Sequence, residues 1–429
     1  MNAPRDASLE TRETLAFLHP PVAAPLIDTE EVNAMQAWRR AIHQNPELGF
    51  EEHATSRLVA DRLRGWGYEV TTGMAVTGVI GTLRWGDVST GPRLGLRADM
   101  DALPIAERTG LPWASRVAGR MHACGHDGHT AVLLGAARRL AQAVAEARMG
   151  PAGTLHLIFQ PAEELGGGGG AQRMIAEGLF DRFACDAVFA LHNYPGMPVG
   201  HVYVRPGAFL ASSDKVLIRF HGKGGHSAMP HLAADPALPA AATVLALQSI
   251  VARNLDPVND TAVVTVGRLQ AGQTYNVIAE TAELELSVRT LSPTVRDSVH
   301  ERIAMIAQGQ AAAFGMRVEV LTERGYPVLM NDPVQTTRVA QTATAVLGAD
   351  RVHSDAQPLP ASEDFAYMLQ AVPGCYLMIG NGDNGHEGGR PSGPCNVHNP
   401  HFDFNDACLP VGASLWVSLA QAFFTSDAP

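Results

Sequence analysis

Residues 93–101 read RLGLRADMD, a short apolar strand that runs directly into two acidic residues. Two later stretches repeat this order: residues 154–164 (TLHLIFQPAEE) end in two glutamates, and residues 187–193 (AVFALHN) end in a histidine and an asparagine. Patterns typical of helices follow at residues 130–145 and from about residue 171. The order of strand, polar loop and helix predicts an α/β domain with a mostly parallel sheet. Because ligands bind where the strands of such sheets end, these polar clusters predict a functional site.

A second pattern begins after this α/β region. Strands are predicted at 215–221, 262–270, 282–290 and 317–321, and helices at 234–251 and 294–314. This βαββαβ order is typical of a ferredoxin-like α+β unit. The sequence therefore predicts an N-terminal extension (1–30), a larger α/β domain (31–211 plus 326–429) and an inserted domain (212–325). In the larger domain, residues 31–63 are predicted to be helical with a break near Asn45, and residues 68–85 to hold short strands.

Composition limits the class of protein and its partners. The 429 residues are 46% hydrophobic and 17% charged, which favours more than one folded domain over disorder. The net charge of −11 argues against nucleic acid as a partner, although a bound cation can still attract anionic small substrates. Five scattered cysteines favour a reducing compartment over a disulfide framework. Without an uninterrupted apolar run of about 18 residues or a signal-like N-terminus, we expect a cytoplasmic protein with no membrane partner.

The loop at residues 121–129 (MHACGHDGH) concentrates side chains that can bind metal. Thiolate and imidazole are good ligands for zinc and its first-row neighbours. Cys124 and His126 are two positions apart and would point the same way in an extended segment. Gly125 and Gly128 would let the backbone bend around an ion. The competing interpretation is a polar surface turn.

Three further segments carry ligand-type residues. Glu163 and Glu164 end a predicted strand, and one of two adjacent carboxylates can bind metal while the other handles protons; alternatively, they are solvated acids that open the next helix. His192 ends another strand, and His398 lies in a polar loop. Each is weak evidence alone. Together, four segments with ligand-type residues at the ends of strands or in loops predict a two-metal hydrolase site.

The combination of these motifs resembles one known family. The chain is similar to the M20 metallopeptidases, most closely to their amidohydrolase branch of hippurate hydrolases, auxin–amino acid conjugate hydrolases and N-acyl amino acid deacylases. The resemblance covers roughly residues 35–420. It is carried by RADMDALP (97–104), CGHDGH (124–129), QPAEE (160–164), HN (192–193), GKGGHS (222–227), NVI (276–278), SEDF (362–365) and the segment around His398.

The resemblance implies a zinc-peptidase-type catalytic domain that holds two divalent metal ions. Manganese, zinc, cobalt and nickel are all candidates. Asp99 stands where other M20 branches have a metal-binding histidine, and Cys124 would substitute for that ligand. Glu163 would be the general base, and Asp101 would orient the site from behind the ligands. The ligands implied are Cys124, His126, Glu164, His192 and His398.

The inserted domain resembles the lid and dimerisation domain of the family, which implies a homodimer or homotetramer. His226 would reach a substrate carbonyl, in the site of another subunit, and Asn276 and Arg289 would contact the substrate. Each also has a plain structural interpretation: a residue of a glycine-rich turn, a turn cap and a charge on a strand surface. Tyr275 and Ala279 depart from the small residue and the proline of many relatives, which could reshape the pocket for the acyl group.

The function that the resemblance implies is hydrolysis of the amide bond of N-acyl amino acids, or of similar linear amides, by metal-activated water with Glu163 as the base. A dipeptidase or aminoacylase of a related branch is an alternative. A hydrolase with Cys124 as nucleophile is another, although the loop lacks the predicted helix start that would lower the thiol pKa. A non-catalytic protein that stores or senses metal is a third, against which Glu163 argues because storage needs no base.

Overall fold

A computed structural model describes residues 26–382 and 395–425. Most of the predicted N-terminal extension, residues 1–25, lies outside them. The helices are α1 (Thr29–Gln44), α2 (His53–Gly65), α3 (His126–Ala145), α4 (Gly170–Ala176), α5 (Leu179–Arg182), α6 (Ala237–Ser249), α7 (Pro293–Ala313), α8 (Pro333–Leu347), α9 (Phe365–Ala371) and α10 (Cys408–Thr425).

The strands lie between these helices, in several places two or more in succession. They are β1 (Glu69–Met74), β2 (Gly78–Trp85), β3 (Arg93–Asp99), β4 (Gly153–Gln160), β5 (Ala187–Tyr194), β6 (Val202–Tyr203), β7 (Gly207–Leu210), β8 (Asp214–His221), β9 (Gly225–His226), β10 (Ala262–Ala271), β11 (Val277–Ile278), β12 (Thr281–Thr290), β13 (Arg317–Arg324), β14 (Leu329–Asn331), β15 (Val352–His353) and β16 (Gly374–Gly380).

The larger sheet has eight strands in the order β1-β2-β4-β3-β5-β16-β6-β15. The centre of this sheet is parallel, because β3 pairs in parallel with β4 and β5, and β5 with β16. β4 and β16 are buried along their whole length, as expected for central strands covered by helices on both faces. The predicted α/β fold with a mostly parallel central sheet is confirmed. Its parallel strands β3, β4 and β5 bring their carboxyl ends to one edge.

The smaller sheet has four strands in the order β10-β12-β8-β13, and all its pairings are antiparallel. Helices α6 and α7 pack against it, with a core that includes Ile218, Leu284 and Ile303. In chain order the unit is strand, helix, strand, strand, helix, strand, which is the predicted ferredoxin-like arrangement. The burial of β8 alternates from residue to residue, because only one face of this sheet is covered by helices. The division of the chain at residues 211 and 326 stays a prediction.

The start of α3 differs from the sequence prediction. The helix begins at His126 rather than at residue 130, and Gly125 precedes it with a left-handed φ of 96°. Cys124 and His126 therefore do not lie in one extended segment, and the expectation that this loop has no helix start is wrong. Gly128 lies inside the helix and does not bend the loop. Its lack of a side chain instead admits Phe404, because an added Cβ would lie 2.4 Å from that ring.

Helix α10 is the one helix in the described part of the chain that is long and apolar enough to cross a membrane, judged by length and composition. It is 61% buried inside the molecule, and it packs against α3 and α8. Its buried residues include Leu415, Trp416 and Leu419. This packing is that of a core helix. The cytoplasmic location stays a prediction.

Candidate metal centre

Side chains from four segments meet at the carboxyl ends of β3, β4 and β5. They surround a pocket of about 660 Å³. The strands end at Asp99, Gln160 and Tyr194, so the loops that follow β3 and β4 open into the same space. The predicted site residues that line the pocket are Cys124, Glu163, Glu164, His192, Arg289 and His398.

Cys124, His126 and His192 form one group of possible donors, whose ligand atoms all lie within 4.8 Å of one another. The Nδ1 of His192 lies 2.7 Å from the carbonyl oxygen of Asn193. A carbonyl can only accept, so this nitrogen carries the proton and the Nε2, 3.3 Å from Cys124 Sγ, has its lone pair available. The Nε2 of His126 is buried without a hydrogen-bond partner. A buried nitrogen left unpaired in this way is what a metal ligand requires.

Cys124, Glu164 and His398 form a second group within the same limit. The Nε2 of His398 lies 3.0 Å from Glu164 Oε1. The backbone N–H of His398 donates to the carbonyl of Ala123 at 2.7 Å, and His398 has a left-handed φ of 63°. Cys124 belongs to both groups, so its thiol lies between the two sets of donors.

Asp101 connects the two groups from behind. Its Oδ1 lies 3.2 Å from His126 Nδ1, and its Oδ2 accepts a hydrogen bond of 3.0 Å from the backbone N–H of Glu164. The carboxylate thus fixes which nitrogen of His126 faces the centre, and it also holds the turn that carries Glu164. The role predicted for Asp101, to orient the site from behind the ligands, stays a prediction.

The electrostatics of the centre call for a cation. Burial, and then the charges of Glu164 and Glu163, raise the pKa of Cys124 well above its ordinary value. Burial, and then Glu363 and Glu164, raise the pKa of Glu163 in the same way. Burial alone would lower the pKa of His126, but Asp99 and Asp101 raise it to about 10. Because the donors are thiol, imidazole and carboxylate in an acidic, buried setting, the residues fit divalent transition-metal ions.

Asp99 lies 3.8 Å from the Nε2 of His126 and is held by two other neighbours. Its carboxylate pairs with Arg97 at 2.7 Å and with Nδ1 of His129 at 2.7 Å. The Nε2 of His129 lies 2.7 Å from Asn193 Oδ1. The sequence analysis assigned no role to His129 or Asn193, which together support the strand end that carries His192. His129 stands out in the sequence only as the last histidine of the loop.

A buried ion-pair network connects three of the motifs, and it includes the SEDF segment (362–365), which had no assigned role. Arg97 donates to Gln160 Oε1 at 2.8 Å, to Glu363 Oε1 at 2.9 Å and to Asp364 Oδ1 at 3.0 Å. The Gln160 amide also donates to Asp364. These contacts bind the segment after β4, which carries Glu163, to the segment before α9. Glu363 itself lines the pocket.

The predicted substrate contacts fall in two places. Arg289 lines the pocket beside the metal donors and donates to Ser362 Oγ at 2.7 Å; burial lowers its pKa from the ordinary value. His226 and Asn276 do not line that pocket. They line an open groove of about 900 Å³ on the smaller sheet's side, where β9 pairs with β11. We call it the lid groove. A single chain therefore does not bring His226 and Asn276 to the metal donors.

The comparisons with known proteins agree with this architecture. The sequence matches the pattern of Peptidase family M20/M25/M40 over residues 95–422. The chain belongs to this family. A hippurate hydrolase of Campylobacter jejuni is 40% identical over 385 residues, which cover 90% of this chain and 95% of the relative. An N-acetyl-L-cysteine deacetylase of Bacillus subtilis is 40% identical over 354 residues, 82% of each protein.

A solved structure from the same family has the same fold over nearly its whole length. It is the YXEP protein of Bacillus subtilis, described as a dinuclear metal binding peptidase from the M20 family. Its TM-score is 0.79 at 32% sequence identity, and the match covers 93% of this chain and 100% of that one. The predicted family and the predicted class of enzyme, a hydrolase of the M20 type, are confirmed. The roles of the individual site residues stay predictions.

Proposed function

We propose that the chain is a metal-dependent amidohydrolase that cleaves the amide bond of N-acyl amino acids. One observation carries the proposal: two groups of metal donors, a carboxylate and a cationic side chain face one pocket. The donor groups share Cys124, the carboxylate is Glu163, and the cation is Arg289. A hydrolase of this type needs the metal donors, the carboxylate as a base and the cation as a substrate contact.

The ligands we propose are the five predicted ones, in two sets that share the thiolate. The donor chemistry is compatible with manganese, zinc, cobalt or nickel. A dinuclear metal site in the Bacillus subtilis relative supports two ions for each chain. When bound, such ions supply Lewis acidity and lower the pKa of water toward neutrality. The proposed sets are Cys124, His126 and His192, and Cys124, Glu164 and His398.

Glu163 is proposed as the general base. In the described part of the chain, no side chain holds its carboxylate by a hydrogen bond, whereas its backbone carbonyl accepts one from the Tyr326 hydroxyl. The backbone of the base is thus fixed while its carboxylate faces the pocket. Glu163 takes a proton from the water that attacks the carbonyl carbon, and it delivers that proton to the leaving nitrogen as the C–N bond breaks. The products are a carboxylic acid and a free amine.

The lining of the pocket supports an N-acyl amino acid as substrate. Leu210, Leu359, Met378 and Val397 supply apolar surface for an acyl group. Arg289 supplies a positive charge for the carboxylate of the amino acid part, as a charge-assisted hydrogen bond. The names of the relatives, hippurate hydrolase and N-acetyl-L-cysteine deacetylase, describe substrates with these two parts.

Exposed apolar residues of the smaller sheet and its helix α6 support a second chain as the partner. Strand β10 lies at the edge of its sheet. Leu269 on this strand is 50% exposed, and Leu245 on α6 is 76% exposed. Exposed apolar residues next to an unpaired edge strand favour association. In the proposed homodimer or homotetramer, His226 reaches the substrate carbonyl in the pocket of another subunit and stabilises the developing oxyanion.

The same electrostatics argue against a thiol hydrolase. A nucleophilic cysteine needs a lowered pKa, and a helix start such as the one after Cys124 tends to provide it. Burial and the neighbouring carboxylates have the opposite effect and raise the pKa of Cys124 well above its ordinary value. Without a metal ion, Cys124 is therefore a protonated and poor nucleophile.

The experiment that tests the proposal is a substrate panel assayed with metal removed and restored. The purified protein is stripped with a chelator, and each metal is added back in turn. Hippurate, N-acetyl amino acids and indole-acetyl conjugates are assayed beside dipeptides. We expect hydrolysis of N-acyl amino acids to disappear on stripping and to return with metal. Preference for dipeptides would favour the related dipeptidase branch, and activity that survives stripping but fails on alkylation would favour the thiol mechanism.

A further inference from the structure

Helix α1 contains no predicted metal ligand, yet one of its arginines lies beside both ligand-bearing loops. The side chain of Arg39 is completely buried. Its Nη1 lies 2.8 Å from Asp403 Oδ1 and 3.4 Å from Asp127 Oδ2, and its Nε lies 2.8 Å from Asp406 Oδ1. One guanidinium thus pairs with three carboxylates, all of them distant from Arg39 in sequence.

These carboxylates come from the two loops that carry His126 and His398. Asp127 directly follows His126, while Asp403 and Asp406 follow His398 within eight residues. The loops also meet at the hydrogen bond from His398 to Ala123, and where Phe404 packs on Gly128. The ion pairs of Arg39 therefore lie at the junction between the two halves of the proposed metal centre.

His398 depends on such support more than the other proposed ligands do. His192 lies on β5 and His126 begins α3, whereas the described chain around His398 forms neither a helix nor a strand before α10. The side chain of His398 is 51% exposed, so packing holds it weakly. Its backbone has the left-handed φ that residues other than glycine rarely adopt. The position of this ligand must come from contacts elsewhere in its loop.

We propose that Arg39 is a positioning residue for the His398 half of the metal centre. Its guanidinium holds residues 403–406 against Asp127, and this keeps His398 opposite Cys124 and Glu164. The proposal rests on the proposed function, because it presumes that these residues bind metal. It predicts that the loss of Arg39 weakens the binding of one of the two metal ions much more than that of the other.

The adjacent Arg40 provides a matched control. It also pairs with Asp406, at 2.6 Å, and its guanidinium lies 3.8 Å from the ring centre of Trp113. Its side chain is 38% exposed, and its ion pair joins α1 to one loop only. Exposed ion pairs contribute little to stability. Arg40→Met should therefore leave both metal affinities close to those of the unchanged protein.

The test is a double-mutant cycle on metal affinity rather than on turnover. The affinity of each Co²⁺ equivalent is measured by competition with a chromophoric chelator, in wild type, Arg39→Met, His398→Ala and the double variant. Arg39→Met should weaken one equivalent by roughly 10- to 100-fold, the range for residues that orient metal ligands. In the His398→Ala background, the same substitution should change the affinity of the remaining ion by less than about threefold.

Each other outcome has a distinct meaning. The positioning role is wrong if Arg39→Met weakens the binding of both ions equally or of neither. It is also wrong if the substitution weakens the binding of the ion that remains in His398→Ala. Arg39→Lys keeps the charge but loses the forked geometry, and it should give the same pattern with a smaller loss if Arg39→Met does not fold. If neither variant folds, Arg39 serves the whole fold and the proposal also fails. A wild-type protein that binds no Co²⁺ would instead overturn the proposed function.

Discussion

The metal centre and the lid groove contain the two groups of predicted site residues, and they differ in how firmly those residues are held. Around the metal centre, His126 and His192 each use one ring nitrogen in a hydrogen bond that orients the other. In the groove, His226 lies on a two-residue strand, and both His226 and Asn276 are exposed. The donors of the first region lie together within one chain, and under the proposed function the residues of the second act against another chain.

The difference has a physical cause. Metal ligands must keep their geometry before the ion arrives, and buried hydrogen bonds behind them supply that order. A group that stabilises an oxyanion from another subunit can be ordered on assembly, because the second chain then provides the missing packing. The comparison predicts that substitutions in the two regions have different signatures: metal binding changes for the ligands and for the residues behind them, and turnover alone changes in the groove.

The largest expected effect comes from the loss of the base, which should lower turnover without changing metal binding. Glu163→Gln should lower kcat by roughly 10²- to 10⁴-fold, because the base is lost, while both metal ions stay bound. The neighbouring Glu164→Gln is the control, and it should lose metal as well as activity. Hippurate kinetics beside elemental analysis check both variants. Near-normal turnover in Glu163→Gln would show that the base is assigned to the wrong residue.

The next largest effect tests the groove. His226→Ala should lower kcat/KM by roughly 10²- to 10³-fold, as for the loss of an oxyanion donor, and should leave the metal content unchanged. His231→Ala, an exposed histidine of the same region, should retain full activity. If His226 acts in another subunit's pocket, mixing His226→Ala with Glu163→Gln chains should restore activity. No recovery on mixing, with subunit exchange verified, would argue that His226 acts within its own chain.

A smaller effect is expected behind the ligands. Asp101→Asn should weaken metal binding by roughly 10- to 100-fold, because the amide no longer orients His126 and the Glu164 turn as the carboxylate does. Saturating metal should then recover much of the activity. Metal titration followed by a hippurate assay checks both statements. Unchanged metal affinity would mean that the comparison overrates the hydrogen bonds behind the centre.

The smallest effect concerns a buried carboxylate outside both regions. Asp214, at the start of β8, accepts from Arg296 Nε at 2.8 Å and from the backbone of Gly325 at 3.1 Å, and it lies 2.6 Å from His300 Nε2. Burial would raise the pKa of Asp214, but its hydrogen bonds to Arg296 and His300 lower it to about 2. A lowered carboxyl pKa stabilises the fold above the ordinary value near 4, and this contribution is lost as the pH falls toward 2.

The Asp214→Asn variant tests this prediction. The difference in Tm between wild type and Asp214→Asn should therefore be larger at pH 6 than at about pH 3, because pH 3 lies below the ordinary carboxyl pKa and part of the contribution is already lost there. Thermal unfolding of both proteins at several pH values measures it. A Tm difference that does not shrink in acid would show that the Asp214 charge does not stabilise the fold.

Much of the fold was predictable because it depends on local patterns. Apolar runs that end in polar residues identified β3, β4 and β5, and alternation identified the strands of the smaller sheet. The sequence did not predict the contacts of Arg39, since they join residues that are 88 and 364 positions apart. It also placed the start of α3 too late, because Gly125 and the tightly packed His126 do not show a typical helix-capping pattern.

The same limit applies to the site. The five predicted ligands come together because each lies at a strand end, at a helix start or in a loop at one edge of the sheet. His129 and Asn193 escaped prediction because their role appears only once Asp99 and β5 are adjacent in space. The separation of His226 from the metal donors could not be read from spacing, since it depends on how the inserted unit is placed on the larger sheet.

The most direct test of the central claim is a Co²⁺ titration of metal-stripped protein, followed by absorption spectroscopy and by a hippurate assay at each step. The account predicts two bound equivalents for each chain, and a thiolate-to-cobalt charge-transfer band that is absent from Cys124→Ser. Hydrolysis should return as the sites fill. A titration without this band in wild type, or hydrolysis that is undiminished before any metal is added, would contradict a metal centre built around Cys124.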